Sequence, residues 1–283
     1  MLQSMFSGIS GLRTHQKRMD VIGNDIANVN TPGYKQSNVT FKEAYVTTIK
    51  SPAPGSPGQQ IGLGVQLGGI VKSFKGGILM ETGQAAHMAI SGEGFFVVSE
   101  PATGAGIATA RYTRAGDFML DVDPTGPTTY IINPDGQRLR GLMGTPAPDW
   151  VAGVDGSTFT DLTLPTNTTS FSIGLDGIVH ASIGGATPVE VARVAVATFD
   201  NNTGLESVGN NLFQATAAAN LRTFYNPNSA GVGQIFEGYL ENSNVDLAQE
   251  FTDMIITQRG FQANSRSITT SDEMLMELLS LKR

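Results

Sequence analysis

Three histidines are the side chains best suited to acid–base or metal chemistry in this sequence, which contains no cysteine. His15, His87 and His180 are widely separated, and none has a second ligand at a helical or strand spacing. The lack of cysteine also excludes disulfides, thiolate metal sites and cysteine nucleophiles. We therefore expect the histidines to be structural and predict no metal site.

Glycine and aspartate patterns that could bind phosphate or calcium are incomplete. Gly62-x-Gly64 and Gly92-x-Gly94 do not continue as a Walker or dinucleotide fingerprint, and neither opens a predicted helix. The stretch from Asp121 begins like a calcium loop, but Ile132 occupies the twelfth position, where a bidentate glutamate is required. No Gly-x-Ser-x-Gly nucleophile motif is present. The sequence predicts no catalytic residue and no cofactor, and hence no enzyme.

The charge balance argues against a nucleic-acid partner. Against 25 Asp and Glu stand 18 Lys and Arg, a net charge of −7, whereas nucleic-acid binding requires a basic surface. The first ten residues lack the cationic and apolar regions of a secretory signal. The longest apolar runs fall far short of the roughly 20 residues needed to span a bilayer. We expect no membrane insertion, and any export must use another route.

Both ends of the chain carry apolar residues at helical spacing. The apolar members of the two series are Leu2, Met5, Ile9, Leu12, Met19 and Ile26 at the amino end, and Leu247, Phe251, Met254, Phe261, Ile268, Leu275 and Leu279 at the carboxyl end. Their persistence over several heptads favours coiled-coil packing. A helix over residues 246–281 would be about 50 Å long. Part of its apolar stripe therefore needs a partner outside its own domain.

Residues at the helix boundaries predict where the two helices end. The first helix should end near Asn30, because Thr31 precedes Pro32 and Gly33 permits a positive φ. The second helix should begin after a short polar side chain, Asn244 or Asp246, which can accept hydrogen bonds from the first free amides.

The middle of the chain reads as short strands and turns. Residues 51–58 hold three prolines and two glycines and predict an extended or mobile linker. Asn133-Pro-Asp-Gly136 and Asp176-Gly177 are strong hairpin signals. In the run from Val189 the apolar residues change parity, which indicates a β-bulge.

These patterns together predict an α+β fold: a mainly-β central domain with long N- and C-terminal coiled-coil helices. We place an N-terminal axial helix at 1–32, an extended linker region at 33–75, a β-rich domain at 76–232 and a C-terminal axial helix at 233–283. The C-terminal helix is expected to pack with the N-terminal helix.

Several blocks of the sequence resemble the axial proteins of the bacterial flagellum. These are the opening block at residues 5–35, AISGEGFFVV at 89–98, YTRAGDF at 112–118 and the ending from 238 to 283, and they occur in the family's order. The final block and QIGLG at 60–64 are most similar to flagellar hook proteins, with distal rod proteins as the near alternative. The chain has only a short stretch near 144–164, where the larger hook proteins insert a further β domain.

The resemblance implies a self-assembling helical tube, a homopolymer with no catalytic activity. Its subunits would leave the cell through the flagellar type III export apparatus. They would then lie outside the cell, in the hook or basal body, and would contact rod, hook cap and hook–filament junction proteins. The terminal helices would surround a central channel and the β domain would form an outer layer. As a hook, the tube would act as a universal joint that transmits torque from rod to filament.

A surface adhesin or carbohydrate-binding β module is the alternative from a different class. Tyr112, Tyr130 and Trp150 would form the sugar platform. Aromatic residues make up only 7% of the chain, and Trp150 is its sole tryptophan. An adhesin should stay monomeric with intact termini, so polymerisation separates the two hypotheses.

Overall fold

The chain divides into two compact units, described here one at a time. In the computed structural model the described residues are 2–51, 57–101, 110–123, 126, 128–144, 160–225, 227–228 and 231–281. The first unit, called the helical unit, comprises Met1–Val29, Lys35–Ser73 and Val245–Arg283. The second, the strand unit, comprises Asn30–Tyr34 and Phe74–Asn244. One long helix lies at each end of a mainly-β chain, which confirms the predicted α+β class.

Two long helices dominate the helical unit, α1 at Leu2–Ala27 and α2 at Leu247–Ser280. Helix α1 ends slightly before the predicted Asn30, and a turn leads to Gly33, whose φ is +70°. Asp246 caps α2, since its carboxylate accepts hydrogen bonds from the backbone amides of Ala248 at 2.9 Å and Gln249 at 3.4 Å. Of the two predicted caps, Asp246 is therefore the correct one.

Two antiparallel strand pairs complete the helical unit. Strand β1 (Ser37–Glu43) pairs with β4 (Val65–Lys72), and β2 (Val46–Lys50) pairs with β3 (Gln59–Gly62). Most of the region 33–75, expected to be an extended linker, thus forms ladders, because these segments satisfy their backbone groups by pairing over a long sequence distance. Of the proline-rich stretch 51–58, residues 52–56 lie outside the described residues.

The β1–β4 ladder lies against α1. The backbone amide of Val65 donates to the hydroxyl of Ser10 at 3.2 Å. A Cβ at Gly64 would lie only 2.2 Å from that hydroxyl, and Gly64 has a φ of +114°. The ladder therefore depends on a glycine where the chain approaches the helix backbone.

The strand unit contains the remaining strands and one short 3₁₀ helix at Asn202–Gly204. Its strands are β5 (Leu79–Glu81), β6 (Met88–Ser91), β7 (Phe95–Ser99), β8 (Arg111–Thr113), β9 (Met119–Val122), β10 (Thr128–Ile132), β11 (Arg138–Met143), β12 (Thr160–Asp161), β13 (Thr163–Pro165), β14 (Thr168–Ile173), β15 (Ile178–Ile183), β16 (Val189–Val194), β17 (Val196–Phe199), β18 (Leu205–Gly209), β19 (Leu212–Ala215), β20 (Leu221–Tyr225), β21 (Gln234–Glu237) and β22 (Tyr239–Glu241). The main sheet runs in the order β14-β15-β16-β11-β7-β8-β19-β18.

Local sequence signals locate the turns of this sheet correctly. The turn from Asn133 to Gly136 joins β10 to β11, and Gly177, with a φ of +74°, ends the turn between β14 and β15. The predicted bulge is also confirmed. Neighbouring residues of β15 pair with Glu190 and Ala192, which leaves Val191 as the extra residue on β16.

Strand β7 divides the core of the strand unit into two clusters. Phe96 and Val98 belong to one cluster, whereas Phe95 and Val97 belong to the other, as the period of two requires. All four side chains are buried. With both of its faces covered, β7 lies at the centre of this unit's core.

Helices α1 and α2 pack antiparallel along a seam of small and polar residues. The hydroxyls of Ser4 and Ser271 lie 3.3 Å apart, and Arg18 forms a 3.0 Å ion pair with Asp253. Between these contacts, glycines allow the helices to approach closely. A Cβ would lie 3.0 Å from Ile268 Cγ1 at Gly8, 2.7 Å from Asn264 Nδ2 at Gly11, and 2.6 Å from His15 Cε1 at Gly260.

A buried polar cluster holds the start of α2 in the helical unit. Gln36 Nε2 donates to Glu250 Oε1 at 2.5 Å, and the amide of Ser37 donates to Asp25 at 3.1 Å. Glu250 is only 3% exposed. Burial raises the pKa of Glu250, the Gln36 hydrogen bond opposes the rise, and the nearby carboxylates of Asp25 and Asp253 add to it.

Replacing Gly11 should weaken the helix pair. We expect Gly11→Leu to lower the free energy of unfolding of the helical unit by about 1–3 kcal/mol, because the new side chain overlaps Asn264. Gly23→Leu is the matched control, since no atom lies within 4 Å of a Cβ at Gly23. Hydrogen exchange of the α1 and α2 amides measures the difference. Equal protection in the two variants would show that the close approach does not matter.

Glu250→Gln should stabilise the helical unit at pH 7. A raised pKa means that folding favours the protonated carboxyl, so its contribution is present below the unfolded pKa of about 4.5 and is lost as the pH rises through the folded pKa. The neutral amide keeps the acceptor for Gln36 without the charge. We expect a higher Tm than wild type at pH 7 and equal Tm values near pH 4, by thermal denaturation.

Asp272→Asn provides the control, because Asp272 is an exposed carboxylate of the same helix. Its substitution should leave the dependence of Tm on pH like that of wild type. A Glu250→Gln variant that is less stable than wild type at pH 7 would contradict the analysis.

Candidate intersubunit surface on the helix pair

The predicted apolar stripe of α1 lies beside the seam, not in it. On α1 the seam residues Ser4, Gly11 and Arg18 are each followed by a stripe residue, namely Met5, Leu12 and Met19. On α2, Met254 and Phe261 likewise follow the seam residues Asp253 and Gly260. One residue is about 100° around a helix, so these stripe residues turn away from the helix-to-helix contact, whereas Ile268 lies in it, opposite Gly8.

The two stripes lie on the same side of the helix pair formed by α1 and α2. In an antiparallel helix pair, a twofold axis perpendicular to the plane of the helices relates one helix to the other, so the same angular offset leads to the same side. The β1–β4 ladder contacts Ser7 and Ser10 of α1, each one residue before a seam glycine. The ladder therefore covers this side of α1, and the stripe residues Met5, Leu12 and Met19 lie on its other side.

Much of this second side is exposed. Among the predicted residues, Leu247 is 38%, Phe251 51%, Phe261 39% and Leu279 70% exposed. Half-buried are Met5, Ile9, Leu12, Met19, Ile26, Met254, Ile268 and Leu275, and the side chain of Leu2 lies outside the described residues. We call the thirteen predicted residues the apolar stripe.

The sequence analysis missed further exposed apolar side chains on the helices. They are Phe6, Ile255, Ile256, Met274, Met276, Leu278 and Leu281. A single 3-4 series cannot include them, because they lie on other faces of α1 and α2. A signal was nevertheless present in the sequence, because α2 contains more apolar residues than one stripe can hold. Such a content is typical of a helix with partners on more than one side.

This exposed surface is large in energetic terms. Full burial of one large aliphatic or aromatic side chain contributes roughly 1.5–3 kcal/mol. Exposed apolar surface of this kind is typical of a site of protein–protein contact. The stripe is therefore a candidate surface for contact with a second polypeptide.

Other candidate sites have different explanations in the structure. The proposed sugar platform is wrong for Tyr112, which is 1% exposed in the core, while Trp150 lies outside the described residues. Tyr130 stacks under the Arg138 guanidinium, 3.6 Å from the ring centroid. Burial raises the pKa of Tyr112 to about 12, so its hydroxyl stays protonated.

The histidines occupy structural positions among the described residues. His15 packs edge-on against Phe41 at 5.5 Å, and burial, with the charge of Arg18, lowers its pKa. His87 Nδ1 is 2.8 Å from the hydroxyl of Thr82. Over the described parts of the chain, no three acidic, histidine or cysteine side chains gather as a metal site, and no helix has the length and apolar character of a membrane span.

Three family models match separate parts of the chain. "Flagella basal body rod protein" matches residues 5–35, "Flagellar hook protein FlgE/F/G D1 domain" matches 89–181, and "Flagellar basal body rod FlgEFG protein C-terminal" matches 237–281. The first and last matches contain most of the two helices, and the middle match lies in the strand unit.

Relatives cover the chain from end to end. "Flagellar basal-body rod protein FlgG" of Bacillus subtilis is 40% identical over 100% of both chains, and that of Caulobacter vibrioides is 30% identical over 99% of this chain and 100% of its own. "Flagellar hook protein FlgE" of Borreliella burgdorferi is 25% identical, in an alignment of 452 positions that covers both chains fully.

A solved structure, that of the Helicobacter pylori flagellar hook protein FlgE2, aligns with 47% of this chain and 39% of its own at 16% identity and a TM-score of 0.23. The full-length relatives decide the assignment. With 40% identity over its whole length, this chain belongs to the family of flagellar rod and hook proteins, structural components located in the hook and basal body of the bacterial flagellum.

Proposed function

We propose that this chain is the subunit of the distal rod of the flagellar basal body. The observation that carries the proposal is the match in length and sequence to rod proteins, which are covered fully and without a large insertion. The sequence analysis placed hook first and distal rod second. The hook relative requires an alignment of 452 positions for a chain of 283 residues, which favours the rod.

The apolar stripe supplies the contact between subunits in this proposal. Of its described residues, four are exposed and eight are half-buried in a single chain. Residues such as Met254 and Phe261 lie beside the seam, on the side away from the β1–β4 ladder. Contacts between two different patches give an open helical polymer when the rotation from one copy to the next does not close a ring. The rod polymer would transmit torque as a tube of packed helices.

We further propose the route and the neighbours of the subunit. It would leave the cell body through the flagellar type III export apparatus, add to the growing axis, and contact other rod proteins and the hook.

Phe261→Asp should block polymerisation. Phe261 lies in the centre of the apolar stripe, and a carboxylate there would lose its hydration without a partner, at a cost of several kcal/mol. Val208→Asp is the control, since Val208 is 50% exposed on β18 of the strand unit. Sedimentation should find polymer in wild type and Val208→Asp only, with unchanged near-UV circular dichroism in all three. Normal polymer from Phe261→Asp would remove the stripe from the mechanism.

The shape of the polymer should separate rod from hook. The hook remains the second candidate because the model for a hook domain matches residues 89–181. We expect electron microscopy of polymers of the full chain to show straight tubes in which all subunits have the same conformation. Curved tubes, with different contacts of residues 57–69 on the inner and outer sides of the bend, would instead favour the hook.

A further inference from the structure

Helix α2 extends beyond the start of α1. The seam places Ser4 opposite Ser271, and Gly8 opposite Ile268, so the first residue of α1 lies near the level of residue 273. The final turns of α2, residues 274–281, continue about 12 Å further along the helix axis. In this overhang the apolar residues Met274, Met276, Leu278, Leu279 and Leu281 are 48–82% exposed. The overhang therefore has an apolar surface that α1 does not cover.

The charged groups among the described residues of the overhang and its first turn are acidic and include no basic side chain. Glu273 and Glu277 are exposed and four residues apart, so they share one face of α2. Both carboxylates lie close to the carboxyl end of the helix, where the helix dipole is negative, and the last described turn contains no basic residue. Like-charge repulsion and the dipole each disfavour this arrangement. A cationic partner would relieve both effects.

A face of α1 carries the complementary charges at the same spacing. Arg13 and Lys17 are exposed and also four residues apart. They lie roughly half a turn from the seam residues Gly11 and His15, and thus on the outward face of α1. Before Asp20, α1 contains no acidic residue. Lys17 contacts Asp20 at 3.9 Å with both side chains more than half exposed, which is a weak surface pair.

These two charged faces cannot meet within one chain. His15 packs against Gly260, so Arg13 and Lys17 lie near the level of residues 262 and 258 on α2. Glu273 is about ten residues further along, or roughly 15 Å. The outward faces of two packed helices also point in opposite directions. Any pairing of these groups requires a second copy of the chain.

We propose that the last two turns of α2 dock on the outward face of α1 in a second copy, with Glu273 and Glu277 paired to Arg13 and Lys17. Phe6, which is 66% exposed and lies seven residues before Arg13 on the same face, receives the overhanging leucines and methionines. The inference rests on the proposed function, because it specifies one contact between successive subunits of the polymer. It adds an ionic contact to the apolar stripe and defines its partner.

Exchange of the charges tests this contact in the full chain. Glu273→Lys/Glu277→Lys and Arg13→Glu/Lys17→Glu should each raise the critical concentration for polymerisation at least about tenfold at low salt, since each replaces two attractions by repulsions. The variant with all four substitutions should return to within about threefold of wild type. Glu81→Lys/Glu206→Lys is the matched control for the lysine variant, because it changes the net charge by the same amount at exposed sites of the strand unit. Sedimentation gives the critical concentration, and far-UV circular dichroism reports helicity.

Two further measurements keep the test decisive if a reversed charge disturbs α2. Glu273→Gln/Glu277→Gln removes the charges with little change of shape, and it should raise the critical concentration less than the lysine variant does. The critical concentration of wild type should rise with salt, because the contact is ionic and at the surface. A salt-independent critical concentration would overturn the proposed pairing.

The possible failures are distinguishable. If wild type polymerises and Glu273→Lys/Glu277→Lys polymerises equally well, this contact is wrong while the proposed function stands. If Arg259→Glu/Arg266→Glu, and not Arg13→Glu/Lys17→Glu, rescues the lysine variant, the overhang docks on α2 of the second copy and our assignment of α1 is overturned. If wild type forms no polymer under any condition, the proposed function and this inference both fail.

Discussion

The close approach of α1 and α2 is the constraint on which the helical unit depends. Gly8, Gly11 and Gly260 have no side chains, so the helix backbones meet where larger residues would overlap Ile268, Asn264 and His15. Since the seam consumes the small residues, the large apolar ones remain on the outside. A single structural choice thus creates a close helix pair and leaves apolar surface exposed, as the proposed polymerisation requires.

Local sequence signals made most of the helices, strands and turns predictable. They did not reveal the seam between α1 and α2. Asp246 as a cap, Gly136 and Gly177 in turns, and the bulge at Val191 all follow from short-range chemistry. The seam was not predicted, because a search for helical periodicity counts large apolar residues. Ser4, Gly8 and Gly11 recur at the same 3-4 spacing and were the available signal. The β1–β4 ladder escaped because pairing between distant segments leaves little local trace.

The candidate site was predictable as a set of residues but not as a surface. All thirteen stripe residues belong to α1 or α2, yet only the antiparallel geometry places the two stripes on one side. The motifs at both ends are common to rod and hook proteins, so they identify the family and leave its members undivided. Chain length separates them better, because a hook relative needs additional sequence beyond what this chain has. The aromatic residues led to a wrong prediction, because Tyr112, which was expected on a sugar-binding surface, is a core side chain.

The two ends of the helix pair differ in chemistry, and in the proposed polymer this difference would set a direction. At one end Glu250 is buried and hydrogen-bonded within the chain, so its charge is unavailable to another copy. At the other end Glu273 and Glu277 are exposed next to uncovered apolar residues. In a twofold dimer, the acidic end of each copy would contact the same patch on the other copy, so the two contacts would be identical. A contact of the acidic end with a basic face elsewhere on α1 uses two different patches, which leaves one of each free on every new subunit and so permits growth without closure.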